Sequence, residues 1–201
     1  MTMNMLINPP REVVQAPAAR DGYRPFPNVA RRNATQEAIE IPAMVFAMNL
    51  PKGKRILEVG CGRGVALAPI AKLCQPTRLA GLDIDDDFLA EAEERIKARH
   101  VQAELFLDDV RLMPFDDESF DLVIDFGTCY HITQPERALR EIARVLSVGG
   151  IFVYETPVNQ LLSHPIRSFG RRLPWQAAPE LVPQRNAVLW ASRLKQKPAT
   201  S

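Results

Sequence analysis

Glu58, Gly60, Cys61, Gly62 and Gly64 fall within a single stretch of seven residues. A carboxylate followed by three alternate glycines can hold a small ligand against bare backbone, since glycine tolerates positive φ and has no Cβ. Ile56, Leu57 and Val59 around Glu58 read as a buried strand, and the glycines as a tight turn into a helix. Such a turn in a parallel α/β sheet is where nucleotides bind, and the free N–H groups beyond it favour an anion. The dinucleotide fingerprint G-x-G-x-x-G is not met, because its third glycine would fall on Val65. Glu58 suits a cationic ligand group better than a pyrophosphate. Asp83 closes the apolar run Leu79–Leu82, 19 residues after Gly64. An acid about that far on accepts from ribose hydroxyls in Rossmann-type sites; the alternative for Asp83 is a plain cap.

The elements that must position these residues alternate strand and helix. Strands are expected at 55–59, 78–83, 103–107, 120–126 and 151–155. A first helix is expected over Thr35–Asn49, capped by Thr35 and bent or split by Pro42. A second follows the glycines over Val65–Cys74, with Leu67, Ile70 and Leu73 on one face and Pro69 tolerable near the first turn. A third runs from Phe88 to Arg99 behind Asp85, Asp86 and Asp87, with Glu91–Arg95 and Glu93–Lys97 as i,i+4 pairs. A fourth starts at Thr133 as cap with Pro135 in its first turn, reaches Leu146, and is closed by Ser147–Gly150. The pattern predicts an α/β fold: a Rossmann-like, doubly wound, mostly parallel sheet with helices on both faces. The C-terminal ends of its strands then form one crevice.

Composition bounds the rest. The 201 residues suit one domain. A net charge of +1 argues against a generally basic nucleic-acid binder. No apolar run is long enough for a membrane span, and Met1–Pro10 lacks the pattern of a signal peptide. Cys61, Cys74 and Cys129 have no metal spacing and form no disulfide framework, so a reducing cytoplasmic setting is expected and no metal.

Glu58-Val-Gly-Cys-Gly-Arg-Gly64 resembles motif I of the class I S-adenosylmethionine (SAM) dependent methyltransferases, in their small-molecule, type-11-like branch. Asp83 matches the acid that ends the second strand in that family. Asp109-Val-Arg-Leu-Met-Pro-Phe115 resembles the family pattern Asp-Ala-x-x-Leu-Pro-Phe, and Gly127–Ile132 is similar to the motif IV loop where methyl and substrate meet. Ala138–Phe152 resembles a structural block of the family. The resemblance covers residues 55 to about 155.

What the resemblance implies is SAM as cofactor, S-adenosylhomocysteine as product, and methyl transfer by in-line displacement to a small-molecule acceptor. The implied cofactor residues are Glu58, Gly60, Cys61, Gly62, Gly64, Asp83, Ile84, Asp109, Val110 and Asp125. Asp109 would accept from the adenine amine, as a carboxylate only accepts, and the Val110 N–H would meet the ring. On the acceptor side stand Asp125, Tyr130 and His131. His131 is either a general base near neutral pH or structural. Asp125 departs from the small residue more usual at its place and is a candidate to orient a substrate amine or hydroxyl.

The two ends differ from the middle. Residues 1–34 are proline-rich and read as an arm, either a lid over the site or a loose tail; residues 35–201 would form the catalytic domain. After residue 155 the expected helix and two antiparallel strands have little room. Asn186–Ala191 reads as one last strand. Between Arg167 and Lys197 seven basic residues face the single acid Glu180, which reads as a solvated basic surface or a site for an anionic acceptor. Oligomeric state is open. The rival functions are methylation of RNA or protein, and a SAM-binding subunit without catalysis.

Overall fold

The structure, a computed structural model, describes residues 29–129 and 132–155, together with the backbone of 195–196. Most of the N-terminal arm and the expected strand at 186–191 lie outside the described residues.

The chain first forms α1 (Val29–Thr35), a π-helical turn (Gln36–Glu40) and α2 (Ile41–Ala47), followed by β1 (Arg55–Val59), α3 (Leu67–Cys74) and β2 (Arg78–Asp83). It continues with α4 (Asp86–Ala98), β3 (Glu104–Leu107), β4 (Phe120–Asp125), α5 (Pro135–Val145), β5 (Leu146–Tyr154) and β6 (Lys195–Gln196). The sheet order is β3-β2-β1-β4-β5-β6. All pairs are parallel except β5–β6, so the expected doubly wound sheet is present. Its strands are apolar because both faces are covered. Ile56, Leu79, Leu122 and Ile124 pack with α2, α3 and α4, whereas Leu57, Val59, Ala80, Leu82 and Val123 pack with α5 and the 110–115 loop.

Several local expectations are corrected. Thr35 does not cap a helix: it is helical, and its hydroxyl donates to the Arg31 carbonyl at 3.0 Å. Pro42 falls in the first turn of α2, just after the π-helical turn, where Ile41 N–H reaches back to Gln36 O. A proline ring clashes with the carbonyl four residues earlier, and the widened turn is a known way for a helix to absorb such a break. Asp85, rather than Asp86 or Asp87, caps α4 by accepting from Phe88 N–H at 3.0 Å. Glu93–Lys97 forms, but Glu91 pairs with Arg63 (2.7 Å) and Arg95 with Glu37 (3.1 Å), since partners from other elements outcompete the neighbour one turn away. Gln134, not Thr133, occupies the cap position of α5, and it makes no side-chain cap bond. Residues 147–150 do not close that helix: they belong to β5, where the pairing register with β4 shifts.

The glycine turn is pressed against α4. Gly64 has φ +67°, and a Cβ there would stand 3.0 Å from Ala92 Cβ. Arg95 Nε donates to the Arg63 carbonyl at 2.9 Å, while Glu37 accepts from both Arg95 and Arg99. The turn is therefore held from outside by α4 and the N-terminal helix. Gly64→Ala should lower stability by about 1–3 kcal/mol, combining positive φ with contact strain. Adding Ala92→Gly should relieve only the contact part. Urea unfolding of both variants checks this; unchanged stability of Gly64→Ala would disprove the packing argument.

Candidate active site

The parallel ladders carry five acidic residues to one edge of the sheet. Their spatial order is Asp109, Asp83, Glu58, Asp125, Glu155, following strands β3, β2, β1, β4 and β5. Val59 pairs with Leu82 on one side and Asp125 on the other. Backbone bonds continue past the strand ends: Cys61 N–H to Leu82 O (3.0 Å), Asp108 N–H to Asp83 O (3.0 Å) and Glu155 N–H to Asp125 O (2.8 Å). A large groove of about 1900 Å³ lies elsewhere, between the N-terminal helix, α3 and α4, and none of the five acids lines it.

Each acid is stabilised differently. Asp83 accepts from Gly62 N–H (2.7 Å, Oδ2) and Asp85 N–H (3.0 Å, Oδ1), which ties the second strand end to the glycine turn. Burial still pushes its carboxyl above the usual range. Asp125 is 1% exposed and accepts from three successive backbone N–H groups, those of Gly127, Thr128 and Cys129. Those bonds fold the loop after β4 back onto its own strand end. Asp109 is held by Arg111; burial raises its carboxyl, but the guanidinium more than offsets this and leaves it below the usual range.

Glu58 is the exception. It is buried, and its Oε2 has no hydrogen-bond partner among the described residues. Burial, then the nearby Asp83 and Asp125, drives its carboxyl well above the ordinary range. A buried acceptor without a donor is costly, and a positively charged donor seated at the turn would meet that need. The glycine turn leaves space for one: among the described residues nothing lies within 4 Å of the position a Cβ on Gly62 would take. A Cβ on Gly60, in contrast, would overlap Thr128, whose hydroxyl donates to the Val59 carbonyl at 3.3 Å. Glycine at 60 thus lets the loop after β4 lie on the turn.

The structure brings Glu58, Asp83, Asp109 and Asp125 to one edge, with Cys61 and Val110 buried at the adjoining loops. Ile84 is 44% exposed beside Asp83, an apolar surface next to the candidate ribose acid. Tyr130 and His131 lie outside the described residues. Burial pushes the Cys61 and Cys129 thiols far up, so neither is a ready nucleophile.

Sequence reasoning missed two residues on the β5 side. Glu155 is buried, and its carboxyl is raised to about 8 by burial, then by Glu40 and Asp125, with Arg32 opposing. Glu40, on the π-helical turn, is raised to about 7 by burial against the pull of Arg32. Glu155 was within reach of the rule that identified Asp83, an acid closing an apolar strand. Glu40 carried no local signal, because only the fold brings its helix to β5.

Residues 57–154 match the family model described as a methyltransferase domain. A fatty-acid O-methyltransferase of Mycolicibacterium smegmatis is 34% identical over 103 residues, which are 51% of this chain and 37% of that protein. A phthiotriol/phenolphthiotriol dimycocerosates methyltransferase of Mycobacterium leprae is 32% identical over 137 residues, 68% of this chain and 46% of that protein. Among solved structures, the PH0226 protein of Pyrococcus horikoshii is similar with a TM-score of 0.58 at 25% identity, covering 74% of this chain and 67% of that one. The chain spans less than half the length of either curated relative.

The protonated state of Glu155 has a measurable consequence. The folded chain keeps this proton up to about pH 8, whereas an ordinary glutamate releases it near 4.5, so folding stability falls as pH rises between these values. Glu155→Gln should match the wild type near pH 5 and exceed it by about 2 kcal/mol at pH 9, allowing for relaxation around the charge. Urea unfolding at the two pH values measures this. Parallel pH profiles for the two proteins would mean that Glu155 is not held protonated by burial.

Proposed function

We propose that the chain, matched through residues 57–154 to a methyltransferase domain, is a class I SAM-dependent methyltransferase that moves the sulfonium methyl of SAM to a small, lipid-like acceptor. The observation that carries the reading is the unpartnered buried carboxylate of Glu58 beneath an open glycine turn, flanked by Asp83 and Asp125. The three acids gathered beneath the turn disfavour an anionic pyrophosphate there, while the ammonium and sulfonium of SAM would complement them.

These residues fit the cofactor. Glu58 and the glycine turn would hold the methionyl end, Asp83 the ribose hydroxyls, and Ile84 and the Val110 N–H the adenine, with Asp109, bonded to Arg111, bracing that turn. A carboxylate offers about four lone-pair sites. Asp83 therefore keeps capacity for hydroxyl donors beyond the two bonds given above. SAM when bound supplies an already reactive methyl, so the chain's contribution is orientation, a factor that can reach roughly 7–11 kcal/mol of a barrier. Asp125 shapes the acceptor loop through its three backbone bonds, and Tyr130 and His131 on that loop are the acceptor-side candidates. A base is needed only for an acceptor that must lose a proton; His131 is that candidate.

The acceptor class is drawn from the relatives, whose names describe methylation of fatty acids and of phthiotriol-type lipids. An anionic acceptor is the finer form of the reading, supported by the seven basic residues between Arg167 and Lys197. Among the described residues no helix is long and apolar enough to cross a membrane. A cytoplasmic setting is a separate part of the proposal, drawn from the three cysteines without disulfide or metal spacing.

Methyl-labelled SAM incubated with the chain and a cell extract tests this, with Asp83→Ala as the blank. Label is expected in the solvent-extractable fraction, and Asp83→Ala should weaken SAM binding by calorimetry at least tenfold, about 1.4 kcal/mol. Label in precipitated RNA or protein would replace the small-molecule reading with the macromolecular one. Unchanged affinity of Asp83→Ala would remove the ribose assignment.

A further inference from the structure

We infer that Arg111 is a positioning residue that locks the adenine end of the site to the loop carrying the acceptor-side residues. The inference rests on the SAM reading above. Arg111 has only 4% of its side chain exposed. Arginine is almost never so buried unless paired, and here every contact is directional. Its Nε donates to Asp109 Oδ1 (2.9 Å) and Oδ2 (3.0 Å), its Nη2 to Oδ2 (2.5 Å), and its backbone N–H to Oδ1 (2.8 Å). Nη1 turns the other way, to Thr133 Oγ1 (2.9 Å) and the Thr133 carbonyl (3.3 Å).

The two partners come from different parts of the site. Asp109 follows β3, and the residue before it, Asp108, is bonded through its N–H to the carbonyl of Asp83. Thr133 lies 22 residues from Arg111, on the segment after β4 that Asp125 organises at Gly127–Cys129. The four Arg111 contacts take up the roughly four lone-pair sites of the Asp109 carboxylate, so Asp109 anchors this turn rather than accepting from a ligand. Arg111 thereby fixes the turn whose Val110 N–H would meet the adenine ring, and the same planar group restrains the acceptor loop through Thr133. This also accounts for Thr133 leaving the cap position of α5, since its hydroxyl oxygen accepts from Arg111. Lysine could not make this arrangement, because a point charge lacks the rigid fork of donors.

A purely structural ion pair would lower stability without changing ligand affinity in the folded protein. The probe is S-adenosylhomocysteine, which needs no acceptor, measured by calorimetry on full-length chains alongside urea unfolding. Arg111→Met should weaken binding by about tenfold or more, as expected when a charge-assisted hydrogen-bonded group loses its partner. Arg111→Lys should recover only part of that loss. Thr133→Val should weaken binding about threefold, and that effect should disappear in the Arg111→Met background, since the two act through one contact. Should Arg111→Met fail to fold, the Lys and Val variants decide alone. Variant affinities within twofold of a wild type that binds, or additive effects in the double variant, would overturn the inference and leave the SAM reading standing. A wild type with no affinity for the probe would overturn both.

Discussion

Parallel pairing in register is the constraint on which this structure depends. Parallel strands all end on the same side of the sheet, so whatever the chain places at those ends meets at one edge. Here it places acids after or within the last two residues of β1, β2, β4 and β5, and just beyond β3. The opposite edge shows what a structural solution looks like. There Arg55 forks onto Asp121 at the start of β4 and reaches Ser147 in β5, a closed set that needs no ligand.

Gathering carboxylates in a buried edge is unfavourable unless each is neutralised or hydrogen-bonded. The fold meets this condition in three ways. Backbone N–H groups serve Asp83 and Asp125, and a guanidinium serves Asp109. A retained proton serves Glu155, in the company of Glu40. The Glu58 carboxyl is likewise raised, and its Oε2, without a hydrogen-bond partner among the described residues, is the acceptor that the proposed ligand would meet. The same bonds that stabilise the acids also shape the site: Asp83 fixes the glycine turn, Asp125 fixes the loop after β4, and that loop rests on Gly60 through Thr128. Stability and ligand geometry therefore depend on the same hydrogen bonds.

Much of this was legible in the sequence because it is local or periodic. Strand and helix order followed from apolar runs and from glycine and proline punctuation, and the edge location of Glu58, Asp83 and Asp125 followed from their places in those runs. The failures share a cause. Thr35 and Thr133 have good cap chemistry, and Glu91–Arg95 has good helical spacing, but in each case a different interaction prevailed. Local rules rank neighbours in sequence and carry no information about competitors brought in by folding. The 147–150 segment shows the same limit: two glycines suggested a helix end, and strand pairing with β4 absorbed them as an irregularity.

The sequence by itself determined the class of fold, the glycine turn and the acidic strand ends, since these depend on residue type and on spacings of two to about twenty residues. Only the tertiary structure decided what those acids experience. Burial, then the proximity of Asp83 and Asp125, raises the Glu58 carboxyl well above its ordinary range. The docking of the N-terminal helix against β5 turns Glu40 and Glu155 into proton-holding groups. The meeting of the β3–β4 loop with the segment after β4 gives Arg111 two partners at once. Desolvation and long-range hydrogen bonds arise only when distant segments exclude water together, and no local pattern of residues records that.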